Sequence, residues 1–252
     1  MEHRWSRVGK LLIHAVVSAT MATEDKPALV MVHGLGVSGR YLKPTGRLLA
    51  PYYRVYIPDL PGFGRSEKAT PALNLEELTR ILADWMDTQG LEKAHFYANS
   101  LGCQLMARFA VEFPDRVQSL VMGGPTVDRR NRNWIGQLLR LALDAPLEPP
   151  ALLIIALQDY LAAGPLRIFK TGAYGLEDAI EERLPAINRP VLVVRGEMDP
   201  IASQVWVQEV AARLPKGRWS VIPGVAHALN YSAPAQLAGL IQELIEETKD
   251  IC

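Results

Sequence analysis

The sequence predicts an α/β domain: a mostly parallel sheet with helices on both faces, interrupted once by a helical insertion. Three observations carry this reading. Short runs rich in Val, Ile and Tyr alternate with amphipathic stretches at helical spacing, the pattern of a sheet covered on both sides. The rhythm breaks once, between about Gly124 and Pro190, into a Leu-rich segment with several prolines. The chain has 252 residues, 49% of them hydrophobic, enough for one substantial core.

Each element follows from its local pattern. Trp5 to Val8 and Leu11 to Ser18 read as an opening hairpin around Gly9-Lys10. Ala28 to Val32 is a continuous apolar run, as in a strand buried on both faces. Tyr53 to Ile57 is the next strand. Leu75 to Asp87 places Leu75, Leu78, Leu82, Trp85 and Met86 at helical spacing, with Asn74 as N-cap and Gly90 beyond the end. Ala94 to Tyr97 is a strand that runs straight into Asn99-Ser100-Leu101-Gly102. A helix follows over Leu105 to Phe113 and stops at Pro114; Val117 to Met122 is again a strand.

The inserted segment reads as helices at Trp134 to Leu143, Ala151 to Leu161, Pro165 to Tyr174 and Leu176 to Leu184. After it come a strand (Val191 to Arg195), a helix (Ser203 to Leu214), a strand (Arg218 to Ile222) and a final helix (Pro234 to Glu247). The expected organisation is therefore a core domain of residues 1–124 and 190–252 and a helical cap of residues 125–189.

Lys+Arg and Asp+Glu are both 27, so the formal net charge is zero. This gives no electrostatic footprint for nucleic acid and no basic anchor for a membrane, and a small-molecule substrate is the expected partner of a monomer or homodimer. The two cysteines, Cys103 and Cys252, imply no disulfide framework and suit a reduced, cytoplasmic setting. Arg4, Arg7 and Lys10 before an apolar run loosely mimic a signal peptide, but the run is short and broken by His14, and it reads better as a strand.

The chemistry centres on Ala98-Asn99-Ser100-Leu101-Gly102. A serine between a buried strand and a helix sits on a sharp turn, and small residues two before and two after it relieve clashes there. A serine hydroxyl needs a base within hydrogen-bond reach. Among five histidines, His3 is near the terminus, His14 and His95 lie on strands, and His33 sits in a turn after a strand. His227, after the last strand, falls where the crevice of such a sheet opens. Asp199, in Gly196-Glu197-Met198-Asp199-Pro200, is the preferred acid to orient it, with Asp128 as the competitor. The backbone N–H groups of Leu35, in His33-Gly34-Leu35-Gly36, and of Leu101 are the natural oxyanion donors. His33 then braces its loop. Gly34, Asn99, Trp134, Leu138, Tyr160 and Phe169 are the candidate substrate contacts.

These residues resemble the α/β-hydrolase superfamily over essentially the whole chain apart from the variable cap. The resemblance rests on His33-Gly34-Leu35-Gly36, Asp59-Leu60-Pro61-Gly62-Phe63-Gly64-Arg65-Ser66, the Ser100 turn, Gly196-Glu197-Met198-Asp199 and Gly224-Val225-Ala226-His227 in that order. It implies an eight-stranded, mostly parallel sheet, a cap over the active site, and a structural role for Asp59. Epoxide hydrolases and haloalkane dehalogenases in the superfamily carry Asp at the turn, so Ser100 argues against both.

The Asn99-Ser100-Leu101-Gly102 stretch also resembles the meta-cleavage-product hydrolases, which cut carbon–carbon bonds. Those enzymes place Trp after the catalytic His, where this chain has Ala228, and use a cap arginine, for which Arg167 and Arg140 are both candidates. The expected activity is ester hydrolysis of a small, largely apolar substrate through an acyl-enzyme, with no metal or organic cofactor. Carbon–carbon hydrolysis is the alternative, and a slow ligand-binding receptor on the same fold is the third reading.

Overall fold

The computed structural model describes residues 1–18 and 26–249. One eight-stranded sheet is built from β1 (Glu2–Val8), β2 (Leu11–Val17), β3 (Ala28–Val32), β4 (Arg54–Pro58), β5 (Ala94–Asn99), β6 (Val117–Gly123), β7 (Val191–Gly196) and β8 (Gly217–Ile222). The spatial order is β1-β2-β4-β3-β5-β6-β7-β8. β2 runs antiparallel to β1 and to β4, and every pair from β4 to β8 is parallel. The apolar stretch that mimicked a signal is thus a strand flanked on both sides, with Leu11–Val17 between β1 and β4.

The helices are α1 (Lys43–Leu49), α2 (Leu75–Thr88), α3 (Leu101–Glu112), α4 (Trp134–Asp144), α5 (Pro150–Ala163), α6 (Pro165–Glu177), α7 (Ile180–Arg183), α8 (Gln204–Arg213), α9 (Leu229–Ser232) and α10 (Pro234–Lys249). Successive strand residues face opposite sides, so the sheet feeds two cores. Val30, Val32, Phe96 and Ala98 pack with Trp85, Phe109 and Trp206 of α2, α3 and α8. Leu29, Met31 and Tyr97 pack with Leu49, Leu237 and Ile241 of α1 and α10.

α2 starts as expected, with a full capping box: Glu77 N–H donates to Asn74 Oδ1 at 2.9 Å and Asn74 N–H to Glu77 Oε2 at 2.8 Å. Three expectations need correction. α3 begins at Leu101, not Leu105, because the Ser100 turn delivers the chain directly into helix. The helix expected over Leu176 to Leu184 is reduced to the short α7, Ile180–Arg183. α6 runs on to Glu177, and the chain breaks at Asp178, whose buried carboxylate pairs with Arg183 at 2.7 Å.

α1 is only seven residues long and carries Gly46, which lowers helix propensity, so its sequence pattern is weak. It forms through tertiary contact. A Cβ on Gly46 would lie 2.8 Å from Ile57 Cδ1, so the glycine lets α1 lie close on β4. Cys103 is buried in α3, and Cys252 lies outside the described residues.

Candidate active site

Ser100, Asp199 and His227 all lie just beyond the C-terminal ends of parallel strands: β5, β7 and β8. Ser100 has φ 57° and ψ −124° and is the one non-glycine with positive φ among the described residues. Such a backbone costs of order 1–3 kcal/mol and persists only where its surroundings impose it. β5 is buried along its whole length, and α3 starts one residue after Ser100. The small residues around the turn have a measurable cause. A Cβ on Gly102 would sit 2.8 Å from the His33 carbonyl oxygen, and one on Gly34 would sit 3.0 Å from Ser100 Cβ.

Asp199 is held before it holds anything else. Its Oδ1 accepts the N–H groups of Ile201 at 2.7 Å and Ala202 at 2.9 Å. The buried Arg195 guanidinium donates to the carbonyls of Asp199 and Ala202, tying the loop. Asp199 Oδ2 is then 2.9 Å from His227 Nδ1. Asp128 is elsewhere: its Oδ2 accepts from Ser203 Oγ at 3.1 Å and its Oδ1 from Arg130 N–H at 3.0 Å. Of the two candidate acids, Asp199 is the one that touches His227. With Nδ1 engaged, His227 Nε2 is buried and has no hydrogen-bond partner among the described residues. The Ser100–His227 bond is therefore not made in this structure; such bonds commonly tighten only once substrate arrives.

Two groups that sequence reasoning missed stand in the inserted segment, Asp144 at the end of α4 and Glu148 in the link to α5. Asp144 Oδ1 accepts the His227 N–H at 3.2 Å. Glu148 accepts the Ala228 N–H at 2.6 Å and the Ser232 hydroxyl at 2.8 Å. The insertion therefore grips the histidine loop by its backbone. The sequence held one usable signal, Asp144 and Glu148 in the stretch from Trp134 to Leu176, where Asp159 is the one other acid.

Burial alone would depress the His227 pKa, but Asp199 first, then Asp144 and Glu148, overcome it and raise it to about 9. Burial also raises Asp144 to about 6, against the pull of His227 and with the push of Glu148 and Asp199.

The Gly34–Leu35 loop is fixed by Tyr41, whose hydroxyl accepts the Gly34 N–H at 2.9 Å and donates to Asn99 Oδ1 at 2.8 Å. His33 Nε2 accepts the Leu60 N–H at 2.9 Å, so Nδ1 carries the proton and donates to the Gly34 carbonyl at 2.8 Å. This histidine braces the loop at both nitrogens. Asp59 does the same for its own stretch, accepting from Gly39 N–H, Arg65 N–H and His14 Nδ1. Leu101 N–H lies in the first turn of α3, where no intrahelical acceptor exists.

A cavity of about 310 Å³ opens over Ser100 and is lined by Gly34, Leu35, Asn99, Leu101, Trp134, Leu138, Tyr160 and His227, with Asp144 and Glu148 among its few charged walls. Five of the six candidate substrate contacts thus reach it. Phe169 does not: it lies outside, stacks on the Trp134 ring at 4.7 Å and is otherwise exposed. Asn99 reaches the cavity, but its amide also donates to the Gly123 carbonyl at 3.0 Å, which braces the turn. Neither candidate arginine lines the cavity. Arg140 donates to the Pro200 carbonyl and Arg167 to the Ala69 carbonyl.

The model of the alpha/beta hydrolase family matches residues 29–240. The chain belongs to that family. Among relatives of this hydrolase, a RutD of Yersinia enterocolitica, named for carbamate hydrolysis, is 26% identical over 246 residues, covering 86% of this chain and 88% of its own. A 2-hydroxy-6-oxo-6-phenylhexa-2,4-dienoate hydrolase of Burkholderia cepacia is 34% identical over 107 residues, covering 39% of this chain and 36% of its own. The fold also superposes on a bacterial membrane phospholipase A with a TM-score of 0.86 at 20% identity, covering 98% of this chain and 86% of that one.

Proposed function

We propose that this hydrolase cleaves carboxylic esters of small, largely apolar substrates through an acyl-enzyme on Ser100. The observation that carries the reading is His227, oriented by Asp199 and with Nε2 unpartnered among the described residues, sharing an apolar cavity with a serine held at the tip of a strained turn. His227 takes the Ser100 proton, Ser100 attacks the carbonyl carbon, and the Leu35 and Leu101 amides receive the oxyanion. His227 then protonates the leaving group and activates the water that frees the acid. The route uses side chains and backbone alone and calls for no metal or organic cofactor. A carbamate carbonyl is open to the same attack, which accommodates the relative named for that reaction.

Carbon–carbon hydrolysis is the second reading, favoured by local similarity to the dienoate hydrolase. Against it stand Ala228 after His227 and a cavity whose walls hold carboxylates and no arginine. The test is a panel of p-nitrophenyl esters of rising acyl length, an aryl carbamate and a coloured dienone. Ester turnover that rises with acyl length and vanishes in Ser100→Ala is expected. Bleaching of the dienone without ester turnover would overturn the proposal in favour of the second reading.

A further inference from the structure

The cavity over Ser100 carries an excess of negative charge. Its titratable walls are Tyr41, Asp144, Glu148, Tyr160 and His227, with no lysine or arginine. Asp199 stands behind His227 as its direct ion-pair partner at 2.9 Å. Three carboxylates thus act on one imidazole, and even the imidazolium leaves two of them without a counter-charge. No cation of α4 to α6 answers them. Arg140 turns to the Pro200 and Ile201 carbonyls and Arg167 to the Ala69 carbonyl, and Lys170 does not line the cavity.

The two wall carboxylates are not equivalent. Glu148 has both oxygens engaged, Oε1 by the Ala228 N–H at 2.6 Å and Oε2 by the Ser232 hydroxyl at 2.8 Å. Asp144 uses only Oδ1, which accepts the His227 N–H at 3.2 Å. Its Oδ2 accepts no hydrogen bond among the described residues and is not sealed inside the protein, so it opens on the cavity. The residue as a whole is only 8% exposed, so this oxygen is an unpartnered acceptor in a largely dry site. Burial raises the Asp144 pKa to about 6, which leaves it ionised above neutral pH.

Placement along the reaction path says where a cation would sit. The leaving oxygen must reach His227 Nε2, which delivers its proton. Asp144 grips the backbone of that same residue, so a charge in the departing alcohol comes within reach of Oδ2. Trp134 and Tyr160 add aromatic walls, which favour an alkylammonium over a hydrated inorganic cation.

We propose that the substrate is an ester of a short amino alcohol, its ammonium group paired with Asp144 Oδ2, and that esters whose alcohol bears a carboxylate are disfavoured. The acyl carbon exchanges its bond to the alcohol oxygen for one to Ser100 Oγ, and then for one to the oxygen of water. The alcohol leaves with the proton that His227 took from Ser100, and water is the one co-reactant. The inference rests on the ester reading and names the substrate class for it.

The test is kcat/KM, read from released thiol, for three thioesters of one acyl group: butyrylthiocholine, its uncharged isostere S-(3,3-dimethylbutyl) thiobutyrate, and S-butyryl 3-mercaptopropanoate. Each is corrected for its uncatalysed hydrolysis. The order should be cationic, neutral, anionic, with about tenfold or more between the first two. Asp144→Asn should reduce that ratio by about tenfold. The substitution also changes the basicity of His227, which acts on all three substrates alike, so the ratio isolates recognition. Leu141→Lys keeps both acids and places a cation three residues from Asp144, at a position that lines the cavity and is 42% exposed. It should lower the same ratio and raise turnover of the anionic substrate, with the circular dichroism spectrum unchanged. In calorimetry, Ser100→Ala should bind butyrylcholine more tightly than 3,3-dimethylbutyl butyrate. Ser100-dependent turnover with a ratio that neither substitution moves would overturn this proposal and leave the ester reading standing. No turnover of any of the three by the folded protein would overturn both.

Discussion

Replacing Asp144 with Asn tests whether the inserted helices set the protonation of the candidate base. The amide keeps an oxygen for the His227 N–H and removes the charge. That carboxylate is 3.2 Å from the His227 nitrogen, and so within roughly 7 Å of its ring. At an effective dielectric near 20, a unit charge at that range contributes about 2 kcal/mol to holding the imidazolium, or about 1–2 pH units. Wild-type His227 is held up to about 9, so the base form is scarce at neutral pH and kcat/KM should climb into the alkaline range. In Asp144→Asn the rising limb should shift down by about 1–2 pH units, with activity at neutral pH increased. The assay is kcat/KM on a soluble butyrate ester from acid to alkaline pH, with the plateau value as control. An unmoved limb, or one shifted upward, would refute the electrostatic reasoning.

The same signs predict a stability profile. The His227 pKa lies above its ordinary value, so its contribution is complete below about 6.5 and is lost as pH rises towards about 9. Thermal denaturation should therefore show a fall in stability over that window that is absent in His227→Gln. Glu148→Ala should cost about 1–3 kcal/mol in urea denaturation, because it strips the acceptor from the buried Ala228 N–H. Gly124→Ala should lower kcat/KM by about tenfold or more, since its Cβ would sit 2.8 Å from two His227 ring atoms and 3.1 Å from Asp199 Oδ2 at a φ of +54°. Acyl-chain selectivity should rise by about fourfold per methylene, the equivalent of about 0.8 kcal/mol, until the cavity is full. Leu152→Trp should move that ceiling to shorter chains in the same ester series.

Much of this was legible in the sequence because it is local. Short apolar runs mark β3 and β5, a 3.6-residue apolar period marks α2, and Asn74 marks its cap. The Ser100 turn is written in short-range sterics, since Gly102 and Gly34 are small where backbone or side chains approach them. The ordering of Ser100, Asp199 and His227 could be read because each follows a strand whose end fixes its position.

What could not be read depends on long-range packing. α1 forms because Gly46 lies against β4, a contact between residues eleven apart in sequence. Asp144 reaches the His227 N–H and Glu148 the Ala228 N–H across about eighty residues, and no local pattern announces a carboxylate that binds another segment's backbone. Phe169 was misplaced for the same reason: helical spacing shows that a residue lies on an apolar face, and only the fold shows whether that face meets a cavity, a neighbouring ring or the surroundings.

The central claim is an activated serine at position 100. The most direct measurement is labelling of the purified protein with a fluorophosphonate, followed by peptide mass spectrometry, in wild type, Ser100→Ala and His227→Ala. One adduct on Ser100, absent from Ser100→Ala and lost or greatly slowed in His227→Ala, is the predicted result. A folded wild-type protein that takes no label, or one labelled equally well without His227, would contradict the account.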